Sequence, residues 1–303
     1  MPSAALTREE LSGVISAAAN TTGGWGYYPG KASRIEPTCW AMLALSGETA
    51  ASAAGAGHQF LAGCQRSDGL LSDRSDLPSN SSWSALTFLT LSALSTSFPS
   101  SDFRERLLEA VVKSGGVQLA NSPQLRQNNR LKGWSWTPGT FSWAEPTSWC
   151  LLALKRAVRA SADGGPDVIL RRIAEGEALL ADRVCESGGW NFGNANVHGQ
   201  NLPAHIPTTA LGLLALQDKP ESHVVQRSLA FVEEHWRKEL SGTALALSLI
   251  CLRIYGRATG ELEAAMMSQW ERTSFLGNLA TASMACCALN MSARARSAFS
   301  LRT

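Results

Sequence analysis

A chain of 303 residues that is 45% hydrophobic and only 17% charged falls below the roughly 25% charge of an ordinary soluble domain, so an extensive buried core is expected. Its 27 Lys and Arg are mixed with 25 Asp and Glu, and a net charge of +2 sets up no field that would gather nucleic acid, which is excluded as a partner. The opening residues Met1 to Glu10 lack a basic stretch leading into an apolar one, and no apolar run approaches the ~18 residues of a membrane span, so a cytoplasmic location is expected. Seven cysteines (Cys39, Cys64, Cys150, Cys185, Cys251, Cys286 and Cys287) form no Cys-x-x-Cys pair, and most lie in apolar stretches where a thiol acts as a small hydrophobe. No disulfide framework, metal or other cofactor is expected.

The first predicted element is an amphipathic helix over 7–19, with Leu11, Val14, Ile15 and Ala18 on one face and Thr7 and Glu10 as a capping box. Gly24-Trp25-Gly26-Tyr27-Tyr28-Pro29-Gly30 follows, then Glu36-Pro37-Thr38-Cys39-Trp40, which opens a helix that is apolar all round. An amphipathic segment at about 50–65 leads to a looser copy, Asp68-Gly69-Leu70 with Trp83-Ser84-Ala85-Leu86, whose apolar helix starts near Ser82. After an amphipathic segment at 101–119, the first unit returns without a gap as Gly133-Trp134-Ser135-Trp136-Thr137-Pro138-Gly139 and Glu145-Pro146-Thr147-Ser148-Trp149. Beyond 166–185, Gly188-Gly189-Trp190-Asn191-Phe192-Gly193-Asn194 precedes a helix from Pro207. Amphipathic segments 221–238 and 259–271 then alternate with apolar helices from Gly242 and Asn278 that lack the aromatic loop.

Six half-polar helices therefore alternate with six that are apolar on every face. An element buried all round needs neighbours on both sides, and a double ring supplies them. The expected fold is all-α, an α/α-toroid of six inner and six outer helices, in a single domain over 1–291. Residues 292–303, with Arg294, Arg296 and Arg302, read as a frayed basic tail.

The unit Gly188–Asn194 followed by Thr208-Thr209-Ala210-Leu211 and Leu213-Leu214-Ala215-Leu216 resembles the repeat of squalene–hopene and oxidosqualene cyclases and of protein-prenyltransferase β-subunits. In class II cyclases the proton donor is the middle Asp of an Asp-x-Asp-Asp-Thr run before an inner helix. Aligned on the shared Thr, this sequence reads Trp143-Ala144-Glu145-Pro146-Thr147, which puts Glu145 at the donor position without the flanking carboxylates, and Glu36 at the same place in the duplicate. The cyclases pair two barrels and this chain has residues for one, which is the β-subunit plan. That family's zinc site, however, needs an Asp-x-Cys that does not occur here, and its Gln-to-Trp linkage is kept only at Gln65 and Gly69, with Leu71 where Trp is expected.

The candidate catalytic residues are Glu145 and Glu36. Each precedes a proline suited to a first helical turn, where a carboxylate also satisfies the helix dipole, so a structural role competes with an acid–base one. Trp134, Trp136, Trp143 and Trp149 around Glu145 would desolvate it and raise its pKa above that of Glu36. Trp40 and Trp149, in the first turns of inner helices, are expected on a cavity wall, with Trp134, Trp136, Trp143, Trp190 and His205 as further ligand-binding candidates; for Trp25, Trp134 and Trp190, each after Gly, a wedge between repeats is the favoured reading. Asn191, Asn194, Asn196, His198, Asn201 and His205 make a dense polar loop that either lines a site or only turns the chain.

The resemblance implies a metal-independent, isoprenoid cyclase-like enzyme using Glu145 as proton donor, in preference to a zinc prenyltransferase. Its partner would be an apolar small molecule of isoprenoid type, with a partner protein or second subunit and a peripheral membrane contact left open. The alternatives are a non-catalytic isoprenoid-binding barrel and a glycan-active α/α-barrel, since stacked tryptophan suits sugars as well.

Overall fold

A computed structural model describes residues 4–46, 51–94, 101–291 and 298–301. Its helices are α1 (Ala4–Ala17), α2 (Ile35–Ala44), α3 (Ala51–Gly63), α4 (Ser81–Leu94), α5 (Ser101–Lys113), α6 (Ala144–Ala160), α7 (Asp167–Asp182), α8 (Ile206–Ala215), α9 (His223–His235), α10 (Gly242–Ile254), α11 (Gly260–Thr273) and α12 (Leu279–Leu289). The even-numbered helices pack side by side in the closed order α2, α4, α6, α8, α10, α12 and back to α2. Outside them α3 packs on α2, α5 on α4, α7 on α6, α9 on α8, α11 on α10, and α1 closes the outer layer on α12. The expected α/α-toroid is therefore the observed fold, and the inner helices begin within two residues of the predicted starts.

The two kinds of helix follow from their sequences. Nearly every residue of α2, α10 and α12 is buried. On α9 only one stripe is, with Val225, Leu229 and Val232 at i, i+4 and i+7. Burying each such aliphatic side chain contributes about 1.5–3 kcal/mol. One local expectation is corrected: α1 begins at Ala4, so Thr7 lies inside the helix, buried, and does not cap it. Among the described residues the extended pairing in a sheet is a two-residue hairpin, β1 (Asn196–Val197) with β2 (Gln200–Asn201), inside the polar loop. No helix among the described residues is long and apolar enough to cross a membrane.

Arg294, Arg296 and Arg302 of the expected tail lie outside the described residues. Residues 298–301 are described, and they are buried rather than frayed. Gln217, just beyond α8, donates from Nε2 to the Phe299 carbonyl (2.7 Å) and accepts at Oε1 from the Leu301 N–H (2.8 Å), while Arg156 in the last turn of α6 donates to the Ser300 carbonyl (3.0 Å). These anchors lie at the C-terminal ends of inner helices, so the segment closes that end of the ring.

Candidate functional site

The opposite end of the ring is built by the repeated Gly-Trp loops. In each, the chain runs back so that the residue before the helix pairs with the aromatic residue: Arg34 N–H donates to the Trp25 carbonyl (2.8 Å), Trp143 to Trp134 (2.9 Å) and His205 to Trp190 (2.9 Å). One turn into the helix a threonine hydroxyl accepts the tryptophan N–H, Thr38 for Trp25 (2.9 Å), Thr147 for Trp134 (3.0 Å) and Thr209 for Trp190 (3.0 Å). The looser copy uses the same device with Leu71 in the tryptophan's place and Ser84 as acceptor (2.9 Å). Glycine precedes each tryptophan because a Cβ on Gly133 or Gly189 would sit 2.3 or 2.4 Å from the threonine hydroxyl.

The tryptophans fixed this way belong to the seam between layers. The indole Nε1 of Trp25 donates to Ile15 O (2.8 Å), that of Trp134 to Val111 O (2.8 Å) and that of Trp190 to Leu180 O (2.7 Å), each at the end of the preceding outer helix. Trp134 and Trp190, ligand-binding candidates for which a wedge between repeats is the favoured reading, are buried wedges whose donors are already occupied. Arg172 lies 4.0 Å over the Trp134 ring, which seals it further.

The same device fixes what stands at the second helical position. On α2 and α6 that position is Glu36 and Glu145, and on α4, which lies between them in the ring, it is Ser82. Both carboxyls are densely surrounded by protein yet keep a solvent-accessible edge, as groups lining a recess do. Desolvation pushes both up from 4.5 to about 7. For Glu145 the charge of Glu36 adds to the rise, and the approach of the Trp149 indole opposes it without reaching hydrogen-bond geometry. For Glu36 the Tyr27 hydroxyl, which donates to its Oε2, opposes the rise, and the charge of Asp73 adds to it. The two carboxyls are therefore raised alike, and the extra indole around Glu145 does not set it apart. Desolvation is the leading cause at both, and the charge of the other carboxyl adds to the rise at Glu145.

Glu145 opens onto a cavity of about 560 Å³ whose walls include Phe192, His205, Phe231, His235 and Lys238. His205 packs edge-on against Phe192 (4.7 Å), and the Phe192 carbonyl accepts from the Ala144 N–H (2.9 Å), which ties this wall to the start of α6. The rest of the polar loop turns the chain: Asn191 Oδ1 accepts from the N–H groups of Gly193 (2.9 Å) and Asn194 (3.1 Å). Trp136 and Trp143 are partly exposed, Trp136 edge-on to Trp83 (5.6 Å) and Trp143 tilted against Phe141 (4.5 Å), and Phe192 is 52% exposed.

Trp40 and Trp149 lie deeper. They touch across the interior (6.1 Å, edge-on) although α4 separates their helices in the ring, which places both on its inner side, buried and not on the expected open cavity wall. The space beside them is filled by Phe299, stacked 5.2 Å from Trp40 and tilted 6.4 Å from Trp149. Three residues of this region escaped sequence reasoning. Tyr27 and Ser82 become visible only when the helices are aligned by their threonine or serine acceptors, and nothing local in Phe299 marks it for the interior.

No family model matches the sequence, and no curated protein matches it. Solved structures do match. An alpha-amylase from Clostridium perfringens superposes with a TM-score of 0.65 at 10% identity, covering 93% of this chain and 97% of that one. A beta-1,3-1,4-glucanase from Paenibacillus sp. X4 gives 0.62 at 12% identity over 97% and 92%. A family 76 glycoside hydrolase (mannosidase) from Bacteroides thetaiotaomicron gives 0.60 at 9% identity over 95% and 98%. At such identities the likeness establishes the α/α-toroid fold and nothing finer. None of these likenesses supports the cyclase family that the repeat implies.

Proposed function

We propose that this protein is a glycan-active α/α-barrel enzyme in which Glu36 and Glu145 share acid–base work on a sugar held at the mouth of the inner ring. The observation that carries this reading is the pair of half-buried carboxyls, both raised to about 7, in one register on α2 and α6 beside partly exposed aromatic rings. Near neutral pH carboxyls raised to about 7 populate both the protonated and the ionised form, the two forms that glycosidic bond cleavage and related sugar chemistry require. Trp136, Trp143 and Phe192 offer flat faces to the C–H faces of sugar rings, and the cavity beside Glu145 falls within the roughly 300–1,000 Å³ of small-molecule sites. The toroids named above, described as amylase, glucanase and mannosidase, add weight to the class without fixing the substrate.

The isoprenoid cyclase reading has less in its favour. A carboxyl raised to about 7 is a weak acid for protonating an alkene, and Phe299 occupies the aromatic interior in which a folded polyprenyl chain would lie. Incubating the protein with neutral α- and β-linked gluco- and manno-oligosaccharides, with product analysis by mass spectrometry and by chromatography that separates epimers, tests the proposal. Turnover that Glu145→Gln lowers by at least 10²-fold, with oligosaccharide binding retained, is the expected result. Binding without turnover would instead make the barrel a non-catalytic module.

A further inference from the structure

The segment 298–301 is held by both its backbone and its side chain. Phe299 is fully buried, its carbonyl and the Leu301 N–H are clamped by the two ends of one amide, Gln217, and its ring stacks on Trp40. It stands where two helices on different sides of α4 turn their indoles toward each other. The Nε1 groups of Trp40 and Trp149 are buried there without a hydrogen-bond partner in the protein. A ligand entering this space would meet aromatic faces and the unengaged N–H of Trp40, the Trp149 indole being directed at the Glu145 carboxyl, and Phe299 is the side chain in its way.

We infer that Phe299 is a specificity-determining residue: it sets the floor of the site, confines ligands to the mouth where Glu36 and Glu145 lie, and excludes apolar chains from the barrel interior. What this says about glycans rests on the function proposed above; the exclusion of apolar chains does not. A ring that is packed rather than hydrated leaves no room for a second apolar body, and removing it vacates a space walled by aromatic carbon. Gln217 then acts as a positioning residue, holding the plug from the far end of the ring.

The test uses the full chain and farnesol as probe, an apolar chain with one hydroxyl to engage the Trp40 indole donor, followed by tryptophan fluorescence and by calorimetry. The wild type is expected to show no saturable binding up to the solubility of the probe. Phe299→Ala should bind it in a one-to-one ratio at least tenfold more tightly than any wild-type signal, and Gln217→Ala, which loosens the plug without touching the aromatic cluster, should fall between them. Near-UV circular dichroism establishes that each variant is folded; should Phe299→Ala not fold, Phe299→Leu and Gln217→Ala carry the measurement. Wild-type protein that binds farnesol as tightly as the variants, or folded variants that bind no better than wild type, would overturn the inference. Because the probe is not a sugar, absence of glycan turnover would count against the proposed function and leave this result standing.

Discussion

A carboxyl that keeps its proton up to about 7 stores its desolvation in the folded state. For Glu36 and Glu145 the folded protein binds the proton more tightly than the unfolded chain does, so the contribution to stability is fully present below 4.5 and declines as pH rises toward 7. Glutamine at either position removes that decline. Glu145→Gln is expected to be more stable than the wild type at pH 8 by about 1–3 kcal/mol, the lower end reflecting the carboxyl's accessible edge, and equally stable at pH 4. Urea unfolding at the two pH values measures this, and a variant equally destabilised at both would show that the carboxyl is held as structure. Tyr27 supplies a second handle. Its hydroxyl opposes the rise at Glu36, so Tyr27→Phe should move the Glu36 titration further upward, readable by carboxyl-carbon NMR, whereas an unchanged midpoint would mean that the hydrogen bond favours neither form.

At the scale of the element, the loop-and-helix unit is held by a contact too close for any side chain but glycine's. Gly133→Ala would drive a Cβ to 2.3 Å from the Thr147 hydroxyl that accepts the Trp134 N–H. A loss of about 2–4 kcal/mol is expected from overpacking and the broken hydrogen bond together. Gly260→Ala, where a Cβ meets nothing within 4 Å, should change stability by less than about 0.5 kcal/mol. Equal losses in thermal unfolding of the two variants would remove the close-contact account. This unit was legible in the sequence because two copies match without a gap, and its spacing carried the register of Glu36 and Glu145 with it. The glycine before each of Trp25, Trp134 and Trp190 favours a seam wedge, and the carbonyls of Ile15, Val111 and Leu180 bear that out. What was not legible is that Trp40 and Trp149 are covered by Phe299 instead of lining an open cavity.

On the scale of the whole molecule, alternation of wholly apolar with half-polar helices left a double ring as the arrangement that buries both, and the closed contact order bears that out. The interior was harder to foresee. Phe299 lies in a stretch whose composition reads as tail, and its burial depends on Gln217 and Trp40, which are distant in sequence and are brought near only by ring closure. The reaction was not legible either: the repeat specifies how loops are pinned to helices, a task that toroids of unlike chemistry share.

Acid–base work by Glu36 and Glu145 on a glycan is tested most directly by the pH dependence of kcat/KM on an oligosaccharide substrate in wild type, Glu36→Gln and Glu145→Gln. A bell-shaped wild-type profile centred near neutral pH is expected, with each substitution removing one limb and lowering the rate by at least 10²-fold. Turnover in both variants at the wild-type rate, or a wild-type profile flat from pH 5 to pH 9 (about two units either side of neutrality), would contradict it.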